Sequence, residues 1–164
     1  MNEAQRITEW VEQKKESAIA LARAVWGFAE PNWRETQSAA AISAALEAEG
    51  FAGYPLLWHC FGQGPETARR ILSNGWHISI PGPVTYKANE ALREAVALIP
   101  ADRLLLETDA PYLAPLPWRG KRNEPSYTVF TVRAMAEARG ENPEDLWRTC
   151  GDNARRFFGL PAQE

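Results

Sequence analysis

Residues 104–125 read LLLETDAPYLAPLPWRGKRNEP, and the order of residue types along them points to a fold. Leu104, Leu105 and Leu106 form a short apolar run between Asp102-Arg103 and Pro111, which suits a buried parallel strand. Side chains alternate along a strand, so Leu105, Glu107 and Asp109 share one face. Carboxylates at the C-terminal end of a buried strand cost free energy unless they are paired or metal-bound. On an α/β barrel that end is where active sites are built, which makes Asp109 a candidate metal ligand and catalytic group. The alternative is a cap, with Asp109 accepting backbone N–H bonds from the turn at Ala110-Pro111. In the loop that follows, Arg119 and Asn123 can hold a phosphodiester by bidentate and single hydrogen bonds. The other reading of this loop is a solvated basic surface.

Upstream of this run the chain alternates strands and helices. Leu56, Leu57 and Trp58 form a strand ending in His59-Cys60-Phe61. Gly62, Gly64 and Pro65 then open a helix that runs to about Asn74, with Pro65 at a favoured first position and Gly75 as the stop. Trp76 to Ile80 form the next strand. Asn89 is expected to cap a helix through Ile99 that presents Leu92, Val96 and Ile99 on one face. Strands and helices alternating at this length imply a parallel sheet with right-handed crossovers. Downstream, helices are expected at about Ser126 to Arg139, Asn142 to Thr149 and Asp152 to Phe158, the second opened by Asn-Pro and the third by Asp152-Asn153.

Before the seam at GFAGYP, Gly50 to Pro55, the period is helical. Residues 5 to 28 space Ile7, Trp10, Val11, Ala18, Leu21, Ala22 and Val25 three and four apart, an amphipathic helix. A turn at Glu30-Pro31-Asn32 leads to a second helix, about Glu35 to Glu49, stopped by Gly50. Together they make a helical hairpin. Trp10 and Trp26 fit helix packing and Trp58 and Trp76 fit strands, so the seven tryptophans read mostly as core rather than as an aromatic binding box.

Composition adds bounds. Lys plus Arg total 18 against 21 Asp plus Glu, a net charge of −3, so no global basic field advertises nucleic acid and any such contact is local. Two cysteines, Cys60 and Cys150, form no CxxC pair, which argues against a disulfide framework or zinc knuckle and for a reduced, cytoplasmic setting. No run approaches the 18 or so apolar residues of a membrane span, and no basic-then-apolar leader opens the chain.

ETDAPYL, the RG and N-x-P of the following loop, HCF followed by GxxPExARRIL, and DNARRFFGL near the end together resemble the TatD family. Those proteins are metal-dependent hydrolases on a TIM-type barrel, generally described as deoxyribonucleases. The resemblance runs from about Leu56 to residue 160 and implies an α/β fold: a partial TIM-type barrel, the last three βα units with parallel strands, behind an N-terminal helical hairpin. It also implies His59 and Asp109 as metal ligands, Asp109 as the acceptor of the water proton, Arg119 and Asn123 as substrate-binding groups, and a divalent ion (Mg, Mn or Zn) as cofactor. Trp118 departs from the pattern, which often has His there. Residues 5 to 51 resemble the N-terminal helices of amidohydrolases of the aminoacylase and aminobenzoyl-glutamate hydrolase type, placing a hairpin unit at 1–52 and a half barrel at 53–164.

The family site also uses an HxH pair, a Glu and another His, whereas this chain has only His59 and His77, and His77 matches no family ligand. Two protein ligands hold an ion weakly, and hydrolysis by paired metals needs both ions clamped. Three readings follow: a phosphodiester hydrolase acting on DNA with an incomplete metal site, a non-catalytic remnant or fusion, and a half-barrel subunit that needs a partner chain. Three strands cannot close a barrel, so a homo-oligomer or partner is expected to cover the open sheet.

Overall fold

The computed structural model describes residues 2–31 and 35–161, which fall into two compact units, residues 1–49 and 50–164. Asn32, the last residue of the expected inter-helix turn, lies outside the described residues.

The first unit is a pair of helices, α1 (Glu3–Phe28) and α2 (Thr36–Ala48). A reciprocal cap starts α1: the Asn2 side chain accepts from the Gln5 N–H and the Gln5 side chain accepts from the Asn2 N–H, satisfying two otherwise free donors. Glu30 serves α2 in the same way from outside the helix, its carboxylate accepting from the backbone N–H groups of Gln37 and Ser38 and from the Ser38 hydroxyl. Two helices can cover little of each other. No residue of α1 is buried, and Trp26, expected inside, is 87% exposed, with Trp10 exposed as well.

The second unit carries a three-stranded parallel sheet in the order β1 (Leu57–Trp58), β2 (His77–Ile80), β3 (Leu104–Leu106). Its register aligns Leu57 with His77, Ile78 with Leu104 and Ile80 with Leu106. Between and after the strands come α3 (Pro65–Ser73), α4 (Glu90–Leu98), α5 (Thr128–Arg139) and α6 (Pro143–Phe158). Helix α3 packs on α4, α4 on α5, α5 on α6, and α6 against β3. The core they close contains Trp76, Ile78, Ile80, Leu92, Val96, Leu104, Met135 and Leu146, each worth about 1.5–3 kcal/mol as it leaves water. No described helix is long and apolar enough to cross a membrane.

Two local expectations are corrected. Asn89 precedes α4, yet its side chain makes no helix cap and instead donates to the Pro83 carbonyl at 3.0 Å. The two short C-terminal helices expected around Asp152-Asn153 are one continuous helix, α6. Gly151 inside it costs roughly 1 kcal/mol relative to alanine. Packing outweighs that cost, because Leu146, Cys150 and Asn153 fall on one buried face, and Asn153 Nδ2 donates to the carbonyls of Ala101 at 2.6 Å and Leu104 at 2.7 Å. Asn142 does cap α6, its Oδ1 accepting from the N–H groups of Glu144 and Asp145.

Candidate metal centre

The parallel register brings the residues that follow β1 and β3 to the same, C-terminal, edge of the sheet. His59 comes directly after β1. Beyond β3 the ladder continues one step, since the Glu107 N–H donates to the Ile80 carbonyl at 3.3 Å, so Glu107 still sits on the strand line and Asp109 follows on the same face. On the other side, the Phe61 N–H donates to the Ser79 carbonyl at 3.1 Å, pulling the chain after His59 towards β2.

Ligand atoms of His59, Glu107 and Asp109 lie within 4.8 Å of one another. The imidazole Nδ1 is 2.5 Å from Glu107 Oε2, and Nε2 is 3.5 Å from Asp109 Oδ1. Ser79 Oγ also donates to Glu107 Oε2, while the Cys60 thiol lies 3.4 Å from Asp109 Oδ2. The two carboxylates are largely covered, with 12% and 16% of their side-chain surface exposed, and the imidazole at 65% forms the open mouth. Burial pushes the Glu107 carboxyl above its ordinary range; the Ser79 hydrogen bond and the His59 charge oppose that, and the Asp109 charge adds to it. Glu107 Oε1 is buried without a hydrogen-bond partner.

These features fit a divalent ion. Two ligand atoms about 2.0–2.2 Å from a tetrahedral ion sit about 3.3–3.6 Å apart, which matches the separation of His59 Nε2 and Asp109 Oδ1. An imidazole nitrogen and a carboxylate oxygen are donors that such ions accept. Asp109 does not cap the turn with its side chain: the Ala110 N–H donates to Thr108 Oγ1 at 3.3 Å, and the Asp109 carboxylate is left facing His59 and Cys60.

The basic loop is pinned beside this edge. The Tyr112 N–H donates to the Asp109 carbonyl at 2.7 Å, and the Asn123 N–H to the Pro111 carbonyl at 3.0 Å. Asn123 itself is buried, 3% exposed, its Nδ2 donating to Thr108 Oγ1 and the Tyr112 carbonyl and its Oδ1 accepting from the Glu124 N–H. The amide thus holds the loop to the strand end. Arg119 is exposed, its guanidinium 4.5 Å from the centroid of the Tyr86 ring, and Trp118, 40% exposed, stacks on Tyr127 at 5.2 Å and 9°. His77 starts β2, at the opposite end of that strand, outside the cluster.

Glu107, Ser79 and Cys60 stand at this edge although the sequence reading did not number them among the site residues. Alternation along β3 already put Glu107 on the face of Asp109. Ser79 and Cys60 carried no signal, because their positions depend on pairing between strands far apart in sequence.

A half-open parallel α/β sheet with a histidine–carboxylate cluster at its C-terminal edge has the form of a partial α/β barrel with a candidate metal site. Residues 34–159 match the family model described as TatD related DNase, a match that takes in α2 as well as the whole sheet. The chain belongs to the TatD family. It is 45% identical over 115 residues to a protein of Mycobacterium tuberculosis named uncharacterized metal-dependent hydrolase TatD, covering 70% of this chain and 43% of that one. It is 48% identical over 109 residues to the 3'-5' ssDNA/RNA exonuclease TatD of Erwinia billingiae, covering 63% and 42%. Among solved structures, the TatD homologue YJJV of Escherichia coli superposes with a TM-score of 0.69 at 24% identity, over 76% of this chain and 48% of that one. The chain thus spans less than half the length of the curated relatives it matches.

Proposed function

We propose that these 164 residues carry one corner of a divalent metal site that serves hydrolysis of nucleic-acid phosphodiesters, with His59 and Asp109 as ligands. The observation that carries this reading is the 3.5 Å approach of His59 Nε2 to Asp109 Oδ1 at the C-terminal strand edge. When bound, a divalent ion would polarise a phosphoryl oxygen and acidify a bound water. The protein's own groups have separate tasks. His59 offers a neutral nitrogen lone pair, and Asp109 offers a carboxylate that also accepts the proton of the attacking water. Arg119 supplies a positive charge for a phosphate, Asn123 keeps the loop that carries Arg119 against the strand end, and the Trp118–Tyr127 stack offers a flat face to a base. The name of the Erwinia relative supports a single-stranded substrate, and a cytoplasmic location goes with that role.

The site is incomplete within these residues. The histidines are His59 and His77 alone, and His77 lies at the far end of β2. Cleavage therefore depends on further ligands from another segment or subunit, which also covers the open sheet. Incubation of the 164-residue chain with single-stranded DNA and magnesium, manganese, cobalt or zinc should give cleavage no greater than background, unchanged in Asp109→Ala, together with weak zinc binding that Asp109→Ala abolishes. Cleavage well above background that Asp109→Ala removes overturns the incomplete-site reading. Absence of any zinc binding overturns the metal corner itself.

A further inference from the structure

The two nitrogens of His59 are held unequally. Nδ1 lies 2.5 Å from Glu107 Oε2, within hydrogen-bond reach, whereas Nε2 lies 3.5 Å from Asp109 Oδ1, beyond the usual 2.7–3.2 Å or so of an N–H···O bond. Glu107 is anchored in turn: Ser79 Oγ donates to the same Oε2, and the Glu107 N–H is bonded into the sheet at Ile80. Ser79 is 2% exposed and sits in the central strand, aligned with Leu105 of β3, so the anchor belongs to the rigid core rather than to a loop.

We infer that Glu107, braced by Ser79, is a positioning residue that fixes His59 with its proton on Nδ1, leaving the Nε2 lone pair aimed at the space beside Asp109. A mobile, 65% exposed imidazole would otherwise divide its proton between both nitrogens and its ring among several rotamers. A carboxylate on the far nitrogen removes both freedoms, as outer carboxylates do for metal-binding histidines in general. Oε2 is already engaged twice, and its partner Oε1 is buried behind it, so Glu107 acts through His59 rather than as a third ligand. The metal part of this inference rests on the function proposed above; the tautomer part does not.

The experiment separates the two. In the full, metal-free chain at about pH 8, where an ordinary histidine is neutral, 15N NMR of the His59 ring should show a protonated Nδ1 and a bare Nε2. Asp109→Ala should leave that pattern in place while abolishing zinc binding by calorimetry. Glu107→Gln, close in shape, should lose the single tautomer and weaken zinc binding by roughly tenfold to a hundredfold. Ser79→Ala should shift both readings the same way, but less. A wild-type His59 protonated on Nε2, a tautomer insensitive to Glu107→Gln, or zinc affinity unchanged in Glu107→Gln each overturns the inference. If wild-type chain binds no zinc, the proposed function fails, and the NMR pattern still decides whether Glu107 sets the His59 tautomer.

Discussion

Gly82 lies directly against the carbonyl oxygen of Leu113, so closely that a β-carbon at Gly82 would collide with it and press on the Pro115 nitrogen at 3.1 Å. Leu113 itself stands at φ 56, in the left-handed region that leucine seldom adopts. Glycine at position 82 is what lets the basic loop seat on the turn after β2. Two bonds complete the seating: Tyr86 OH donates to the Ala114 carbonyl at 2.9 Å, and the Leu116 N–H to Thr85 Oγ1 at 2.8 Å.

Gly82→Ala should therefore lower stability by about 1–3 kcal/mol, the usual cost of forcing atoms into a packed site. The loop should also be released. Denaturant melts measure the first effect, and faster limited proteolysis around Lys121 measures the second; a variant that melts like wild type would show that the loop yields freely.

Asn153 joins α6 to the chain entering β3 through the part-buried carbonyl of Ala101 and the buried carbonyl of Leu104. Asn153→Ala removes this donor from both, and the expected loss is about 1–3 kcal/mol, carried by the buried Leu104 carbonyl, since water can reach that of exposed Ala101. An exposed change on the same helix, Arg148→Ala, should cost at most about 1 kcal/mol, since its partners Glu144 and Asp145 are exposed as well. Equal melting temperatures for the two variants would contradict the latch.

Burial pushes the Cys150 thiol up to about 12 from an ordinary 9.0, with the charge of Arg139 opposing that rise. Cys60 is half-buried at the open edge. Iodoacetamide should accordingly modify Cys60 in the folded chain and Cys150 only after unfolding, as read by peptide mass analysis. The sign of the pH effect follows. Between 9.0 and about 12 the unfolded thiol gives up its proton while the folded one keeps it, so stability falls as pH rises. Cys150→Ala should flatten that part of the stability curve.

Along α1, exposed Ile7, Trp10 and Val11 occur at helical spacing on one side. Apolar patches of this kind drive association. The chain should bind a hydrophobic dye and scatter light as an oligomer, and Ile7→Glu with Val11→Glu should reduce both. A dye-silent monomer would rule out association through this stripe.

How far the sequence could be read follows from which forces are local. Leu104–Leu106 bounded by charge and proline, Pro65 and Gly75 bracketing α3, and the helical spacing of residues 5 to 28 were all legible, because period and capping act within a few residues. The continuity of α6 was not. Gly151-Asp152-Asn153 looks like a break, and only the carbonyls of Ala101 and Leu104, some 50 residues earlier, turn Asn153 into an interior packing residue. Asn89 fails as a cap for the same reason: Pro83 competes for its amide. At the candidate site, His59 and Asp109 were legible through motif and strand position. Glu107 was legible in part, since alternation along β3 puts it on the face of Asp109; the place of Ser79 was not, since it needs the register of β2 against β3. The outward turn of Trp26 was hidden too, because amphipathic spacing marks a stripe without saying whether anything covers it.

The parallel order β1-β2-β3 has one more consequence. His59 and Asp109 come from strands that do not touch, with β2 between them as a spacer two inter-strand steps wide, roughly 9–10 Å in all. The spacer strand supplies neither proposed ligand, yet it acts as the gauge for both. A single residue inserted or deleted within His77–Ile80 would turn Ser79 to the other face and slip the pairing on both flanks at once. The tolerance of this site to change is therefore expected to be narrowest in the strand that contributes neither His59 nor Asp109.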